Sequence, residues 1–318
     1  MLGLDKLKPK IRITSDEVEC PVIDCSYFVI RQKNNFKKQP AYKCPQHNIY
    51  ISPSTFEYEN KHENILWKEV DDLNLLAKIS AVKRESRMAR DNSEDAVTWN
   101  VFRFLEKKGY LKGFLKEIFG IEDTEPEIIY WSYSQVQKKL WDALEAARQE
   151  FELLPSKGSE PDIIILGKST LLFVEVKLTA SNNTMPSTMK VKSKYLTGGQ
   201  RWWGYVFQSD FDTVTVLNKK YELARFWLLG TWIAHRMGLQ FVLVTLVLKD
   251  KDLNIEPLFL PHIKPNIHRK FERIGWEDIY EKVILHSKQS ADKGIILSYF
   301  QNKTLGYRNG ELIKAFYI

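Results

Sequence analysis

Three charged side chains interrupt an otherwise apolar pair of predicted strands within residues 158–178. The sequence GSEPDIIILGKSTLLFVEVKL indicates two short strands joined by a two-residue turn. Counting back from that turn along both strands places Asp162 opposite Glu175. Because side chains alternate with period 2, Lys177 joins Glu175 on the same side of the sheet. The spacing therefore predicts that two carboxylates and an ammonium meet at one point.

The remaining residues of both strands are mostly aliphatic, so the hairpin is expected to be buried. Charged side chains in buried strands are costly unless they pair with one another or bind a metal ion. The alternative is a surface hairpin that carries an ordinary Glu–Lys pair. The buried setting favours a metal site in which Asp162 and Glu175 supply oxygen ligands, and Mg²⁺ or Mn²⁺ suits such ligands.

The hairpin resembles the PD-(D/E)XK nuclease superfamily, which has the restriction-endonuclease-like fold. Pro161-Asp162 looks like its PD element, and Glu175-Val176-Lys177 looks like its (D/E)XK element. The resemblance implies an α/β fold with a mixed sheet flanked by helices, and metal-dependent hydrolysis of DNA. It also implies that the Val176 carbonyl adds a third metal ligand, and that Lys177 orients the attacking water or stabilises charge at phosphorus.

Two further site residues follow from the same resemblance. Many members carry a Glu on the first core helix, and SEDAVTWNVFRFL looks like that helix. Glu94 is thus a candidate metal ligand or water-positioning acid, with Asp95 as the competing choice; alternatively, both only stabilise the helix N-terminus. Some relatives carry Gln-x-x-x-Tyr after the catalytic strand. Here Tyr205 lies one residue further from Gln200, and Gln200 alone is taken as a candidate catalytic residue.

All three cysteines of the chain lie near its beginning. Cys20, Cys25, Cys44 and His47 form the array C-x4-C-x18-C-x2-H, a spacing typical of tetrahedral Cys3His zinc sites. The segment resembles zinc-ribbon modules. No position of the site is obviously open, so the zinc is expected to be structural. The alternative is three unrelated buried or reactive cysteines.

Two segments carry basic side chains and no acidic ones. In residues 25–56 the basic residues alternate with aromatic ones, which suits either nucleic-acid contact or a solubilising loop. Residues 178–209 are predicted to be a long polar loop after the catalytic strand, where substrate contacts are common, unless the loop is only a mobile part of the surface. The candidate nucleic-acid contacts in this second segment are Lys190, Lys192, Lys194 and Arg201.

The 318-residue chain is expected to form two domains, a zinc-ribbon-like module at residues 1–66 and a nuclease-like domain at residues 67–318. Its formal net charge of +7 permits a polyanionic partner without requiring one. No signal-peptide pattern begins the sequence, and charged residues interrupt its most apolar stretch, residues 221–248. A cytoplasmic protein without a membrane span is therefore expected.

Hydrophobic periodicity predicts the main elements. Helices are predicted at residues 67–90, 94–108, 111–119, 137–153 and 270–287. Strands are predicted at residues 127–133, 294–300 and 311–318. Residues 221–248 are predicted to be a helix and a strand divided by Gly238, and residues 250–265 a loop.

The sequence therefore favours a metal-dependent nuclease that acts on DNA, as an endonuclease in restriction, defence or repair. Double-strand cleavage by one active site per chain would suggest a homodimer. One alternative is a non-catalytic nucleic-acid-binding protein built on a nuclease-like core with a zinc module. Another is a zinc-containing interaction module with an enzyme core that acts elsewhere.

Overall fold

The computed structural model describes residues 6–83, 87–153 and 160–318. The chain forms two compact units. The first consists of Met1–Leu73, Ser86–Tyr110 and Ile279–Ile318. The second consists of Asn74–Glu85 and Leu111–Asp278. The predicted boundary between residues 66 and 67 stays a prediction, and the unit that holds the cysteines also draws on later parts of the chain.

The described residues form the following elements. The strands are β1 (Glu17–Glu19), β2 (Phe28–Ile30), β3 (Ile49–Ile51), β4 (Phe56–Tyr58), β5 (Glu127–Tyr130), β6 (Tyr133–Ser134), β7 (Lys139–Leu140), β8 (Ile163–Leu166), β9 (Thr170–Val176), β10 (Gln240–Val247), β11 (Arg269–Gly275), β12 (Thr304–Arg308) and β13 (Glu311–Lys314). The helices are α1 (Val70–Val82), α2 (Glu94–Lys107), α3 (Leu111–Phe119), α4 (Asp142–Glu150), α5 (Val191–Arg201), α6 (Trp203–Val206), α7 (Tyr221–Met237), α8 (Ile255–Phe259), α9 (Trp276–Ile279) and α10 (Ala291–Asn302). None of these helices has both the length and the hydrophobicity to cross a membrane.

The second unit contains a seven-stranded mixed sheet with the order β11-β10-β9-β8-β5-β6-β7. β9, β10 and β11 run parallel, whereas β8 is antiparallel to both β5 and β9. Every residue of the central strand β9 is buried, which explains its nearly continuous apolar sequence. The predicted class, a mixed α/β sheet flanked by helices, is confirmed at this level.

Helix α7 packs against the centre of this sheet. It ends at Met237 because Gly238 adopts a left-handed conformation, with φ of 68°, that closes the helix. Its Trp227 belongs to the same buried cluster as Phe173 of β9 and Phe241 of β10. Since β10 follows α7 directly and runs parallel to β9, the first turn of α7 lies at the carboxyl end of β9.

The first unit holds three antiparallel hairpins, β1-β2, β3-β4 and β12-β13, together with helices α2 and α10. Its small core combines the cysteines with apolar residues of the hairpins, including Tyr307 of β12. Helix α2 begins where the sequence predicts, because the Ser93 hydroxyl accepts a hydrogen bond from the Ala96 N–H at 3.2 Å.

Two predicted elements near the carboxyl end of the chain differ from the structure, one in part and one entirely. Residues 270–287 were predicted to be a helix, and residues 276–284 are helical, in α9 and the π-helical turn that follows it. Their first part is wrong: Arg269–Gly275 pairs with β10 as a strand, because sheet pairing overrides the helical spacing of its apolar residues. Residues 294–300 were predicted to be a strand, but they lie in α10. There the Ser290 hydroxyl caps the helix, and its apolar residues are buried at helical spacing.

Other boundaries differ from the prediction by smaller amounts. The helix predicted at residues 67–90 is Val70–Val82 within the described residues. The helix predicted at residues 137–153 is shortened to Asp142–Glu150, because Lys139–Leu140 pairs at the sheet edge. Two predicted loops contain helices: α5 interrupts residues 178–209, and α8 lies within residues 250–265.

Candidate active site and metal centre

The β8–β9 hairpin has the register that the sequence predicts. Ile163 pairs with Val174, so the preceding residue, Asp162, faces Glu175 across the two strands. A backbone hydrogen bond closes the two-residue turn at the other end of the hairpin. The prediction that Asp162 and Glu175 lie opposite each other is therefore correct.

The Asp162 carboxylate is held by two hydrogen bonds. Its Oδ2 accepts the Val176 backbone N–H at 2.9 Å, and its Oδ1 accepts the Trp131 indole N–H at 3.0 Å. A carboxylate oxygen has more than one lone pair and can accept more than one partner. These two hydrogen bonds help to fix the position of the Asp162 carboxylate.

Glu175 is the most deeply buried member of the cluster, with 3% of its surface exposed. Its Oε1 accepts a short hydrogen bond from the Lys177 ammonium. Its Oε2 is buried and accepts no hydrogen bond from the described residues. Burial, and then the charges of Glu222 and Asp162, raise the pKa of Glu175 well above its usual value. An unsatisfied buried acceptor is destabilising, and a bound cation would satisfy it.

Glu222 is a member of this cluster that the sequence analysis missed. It lies in the first turn of α7, and its Oε2 accepts a hydrogen bond from Lys177 Nζ at 3.0 Å. Lys177 therefore joins two carboxylates, Glu175 and Glu222, and their charges raise its pKa. An acid at the start of an apolar helix after β9 was the available signal, but in the sequence Glu222 counts only as an interruption of a hydrophobic stretch.

Polar side chains continue from this cluster onto β10. Thr245 lies beside Glu175 on the neighbouring strand, and its hydroxyl accepts the Asn182 amide at 2.8 Å. The same amide nitrogen donates to Asp252 at 2.6 Å. The Asn182 carbonyl oxygen is also buried, and the described part of the chain provides no donor to it. The polar surroundings of Glu175 therefore extend across two strands.

The other predicted catalytic residues lie apart from this hairpin in sequence. Glu94 is in the first turn of α2, in the first unit, and its role toward the carboxylates of the second unit stays a prediction. Gln200 is exposed at a kink of α5, where its φ is 57°. Val176, whose carbonyl is predicted as a ligand, is the last residue of β9.

The predicted nucleic-acid contacts lie on or beside α5. Lys190 and Arg201 are exposed. The Lys192 ammonium pairs with Asp212 at 2.5 Å, and the Lys194 ammonium donates to the Glu152 carbonyl at 2.8 Å. These basic groups are therefore arranged by a helix, and two of them are already engaged within the chain.

The Cys3His array forms a cluster in the first unit. The ligand atoms of Cys20, Cys25, Cys44 and His47 all lie within 4.8 Å of one another, and the three thiols are buried. Burial and the neighbouring thiols raise the pKa of Cys20. A bound cation would reverse that effect, because it favours the thiolate form.

The spacing of these atoms agrees with a tetrahedral metal centre. The Cys25 and Cys44 sulfurs are 3.8 Å apart, and His47 Nδ1 is 3.6 Å from the Cys20 sulfur and 3.7 Å from the Cys44 sulfur. A tetrahedral zinc ion with ordinary bond lengths has S–S edges of about 3.8 Å and S–N edges of about 3.6 Å. The four side chains could therefore hold a metal ion of this size.

The carboxylate cluster is more open than the Cys3His cluster. Among the described residues, the Cys3His set is the one group of three or more such side chains whose ligand atoms all lie so close together. Asp162, Glu175 and Glu222 therefore do not converge on a single point. That arrangement suits an ion that keeps several water molecules, as Mg²⁺ usually does, rather than an ion enclosed by protein.

No protein-family model, curated protein or solved structure matches this chain.

Proposed function

We propose that the protein is a metal-dependent nuclease of the PD-(D/E)XK type that hydrolyses phosphodiester bonds in DNA. The main support is the cluster of Asp162, Glu175, Lys177 and Glu222 where the hairpin meets the first turn of α7. Within it, the buried Glu175 Oε2 accepts no hydrogen bond from the described residues, so it is available to a cation. The mixed sheet flanked by helices is also the architecture that the resemblance implies.

The residues of the cluster have separate roles in this proposal. Glu175, with Asp162 or Glu222, would hold Mg²⁺ or Mn²⁺, and the Val176 carbonyl is a further candidate ligand. Such an ion neutralises phosphate charge and lowers the pKa of a bound water. Lys177 stays positively charged beside two carboxylates, so it stabilises negative charge at the phosphate rather than acting as a base. Glu94 and Gln200 remain candidates for positioning the attacking water.

The Cys3His cluster is proposed to hold a structural zinc ion. Its ligands are four protein side chains, which is typical of structural sites that have no open position. The basic and aromatic residues between the ligand pairs, together with Lys190 and Arg201 of the second unit, are proposed to contact DNA. A homodimer would suit cleavage of both strands.

Plasmid cleavage tests the proposal directly. Supercoiled and linear DNA are incubated with the protein in Mg²⁺, Mn²⁺ or EDTA, with Lys177→Ala as the active-site variant. Lys168→Ala is the matched control, because Lys168 lies on the same hairpin but is exposed and pairs at the surface with Glu125. We expect metal-dependent cleavage that falls by roughly 100-fold or more in Lys177→Ala and persists in Lys168→Ala. Equal cleavage by the Lys177 variant, or cleavage in EDTA, would contradict the proposal.

One observation favours the alternative of a non-catalytic nucleic-acid-binding protein. Lys177 already joins Glu175 and Glu222, so the cluster could serve as a closed ion pair that only stabilises the fold. DNA binding without cleavage in any of the tested metals would support that alternative. Mg²⁺ binding that disappears in Glu175→Gln would argue against it.

A further inference from the structure

A second charged side chain of α7 has two buried nitrogens that lack a hydrogen-bond acceptor among the described residues. Arg225 lies one turn after Glu222 and is buried, with 6% of its surface exposed. Its Nε and Nη2 donate no hydrogen bond to any residue that the structure describes. These two nitrogens form one edge of the planar guanidinium, and that edge can bind two oxygens of a phosphate or carboxylate in parallel.

The surroundings of Arg225 are aromatic. Its guanidinium carbon lies 5.8 Å from the ring centre of Tyr221 and 5.4 Å from that of Phe226. The Tyr195 and Tyr221 hydroxyls bond to each other at 3.1 Å, and the Tyr195 side chain also interacts with the guanidinium. Across residues 6–83, 87–153 and 160–318, no carboxylate forms an ion pair with Arg225. Two buried guanidinium nitrogens without an acceptor are destabilising, and a ligand bound to that edge would satisfy them.

Arg225 is also within electrostatic reach of the carboxylate cluster. Tyr221, Glu222 and Arg225 share one side of α7, because residues three and four apart face the same way. Glu222 turns toward Lys177 on that side, at 3.0 Å. The positive charge of Arg225 helps to lower the pKa of Glu222, after the stronger effect of Lys177.

We propose that Arg225 binds a phosphate group of the substrate through its Nε–Nη2 edge, next to the carboxylate cluster. This inference rests on the proposed nuclease function, and it gives Arg225 the role of binding phosphate at that site. A phosphate is the expected anion because the proposed substrate is DNA. The three nearby carboxylates would repel it unless a divalent cation neutralised them. Phosphate binding is therefore expected to strengthen when Mg²⁺ is present.

Replacing Arg225 by Met is not expected to destabilise the free protein. If the two Arg225 nitrogens are satisfied only when a ligand binds, Arg225→Met removes an unsatisfied buried group from the free protein. The free variant should therefore unfold at the same temperature as the wild type or a higher one. Arg148 is the matched control because it is equally buried and lies in the same unit, yet it donates hydrogen bonds to Glu145 and Ser132. Arg148→Met should therefore unfold at a lower temperature.

The test measures the midpoint of thermal unfolding with inorganic phosphate or with chloride at equal ionic strength, with and without Mg²⁺. We expect phosphate to stabilise the wild type, and Arg225→Met to weaken that binding by about tenfold or more, since two charge-assisted hydrogen bonds are lost. Arg225→Lys should keep only part of the effect, because an ammonium cannot form the bidentate contact. Absence of phosphate stabilisation in the wild type, or equal stabilisation in Arg225→Met, would overturn the inference.

Two further results separate this inference from the nuclease proposal. If the wild type cleaves DNA and Arg225→Met cleaves it with unchanged kcat and KM, the assignment of Arg225 is wrong and the nuclease proposal stands. If the wild type binds phosphate through Arg225 but cleaves nothing, the nuclease proposal fails alone. Without phosphate, Arg225→Met could also be destabilised as much as Arg148→Met. That result would show that Arg225 has a structural role, and it would overturn the inference.

Discussion

Replacing Lys177 by Met should destabilise the protein in a manner that depends on pH. The ammonium of Lys177 lies between the carboxylates of Glu175 and Glu222, whose side chains are 4% and 18% exposed. Without it, two negative groups would face each other in a buried position. Glu175 would respond by binding a proton, because burial and its acidic neighbours already raise its pKa.

The free energy of protonating Glu175 sets an upper limit to the stability that Lys177→Met loses. Protonating a carboxyl group with an ordinary pKa of 4.5 at pH 7 costs about 3.4 kcal/mol, at about 1.36 kcal/mol for each pH unit. We therefore expect Lys177→Met to lose about 2–3 kcal/mol at pH 7. The folded variant binds a proton that the unfolded chain releases above pH 4.5, so its stability falls as the pH rises. The loss should shrink to less than about 1 kcal/mol at pH 5.

Urea unfolding of wild type and Lys177→Met at several pH values measures this loss. Lys168→Met is the control, since its surface ion pair is worth less than about 1 kcal/mol and should show no such pH dependence. Adding Glu175→Gln to Lys177→Met should restore most of the stability, because the amide carries no charge. A loss that is independent of pH, or one that Glu175→Gln does not relieve, would refute this account of the cluster.

Three further predictions concern other parts of the chain. The protein should contain one zinc ion per chain by elemental analysis, and Cys44→Ser should remove it and lower the unfolding temperature; a stable, zinc-free wild type would contradict this. Lys303→Met should cost about 3–5 kcal/mol in urea unfolding, because it leaves the fully buried Asp91 carboxylate without its cation; a cost below about 1 kcal/mol would disprove the pairing. Gly230→Ala should cost about 1–3 kcal/mol, since its Cβ would lie 2.1 Å from an aromatic ring of β10, whereas Gly113→Ala in α3 has open space and should gain up to about 1 kcal/mol.

The parts of the site that the sequence predicts correctly depend on short-range geometry. A two-residue turn and strand alternation were enough to place Asp162 opposite Glu175. The Cys3His cluster likewise followed from ligand spacing, since each pair of ligands is close in sequence. Helix α7 and strand β10 were predicted correctly because a single glycine separates two long apolar segments.

The parts that the sequence could not predict depend on long-range contacts. Glu222 meets Lys177 only after 44 intervening residues have formed α5, α6 and their connections. The spacing of apolar residues in β11 suits a helix, and only its pairing with β10 makes it a strand. The lack of an acceptor for two Arg225 nitrogens among the described residues is equally invisible in sequence, because it depends on which side chains pack around the guanidinium.

The composition of the first unit has a consequence for the order of events during synthesis. The small core around the cysteines includes Tyr307, whose hydroxyl donates to the Ser52 carbonyl across 255 positions of the chain. A ribosome releases the cysteines and the whole sheet of the second unit before it releases Tyr307. The cysteine-containing core is therefore completed only after the second unit has emerged, and until then the apolar residues of its earlier hairpins lack the packing that Tyr307 provides.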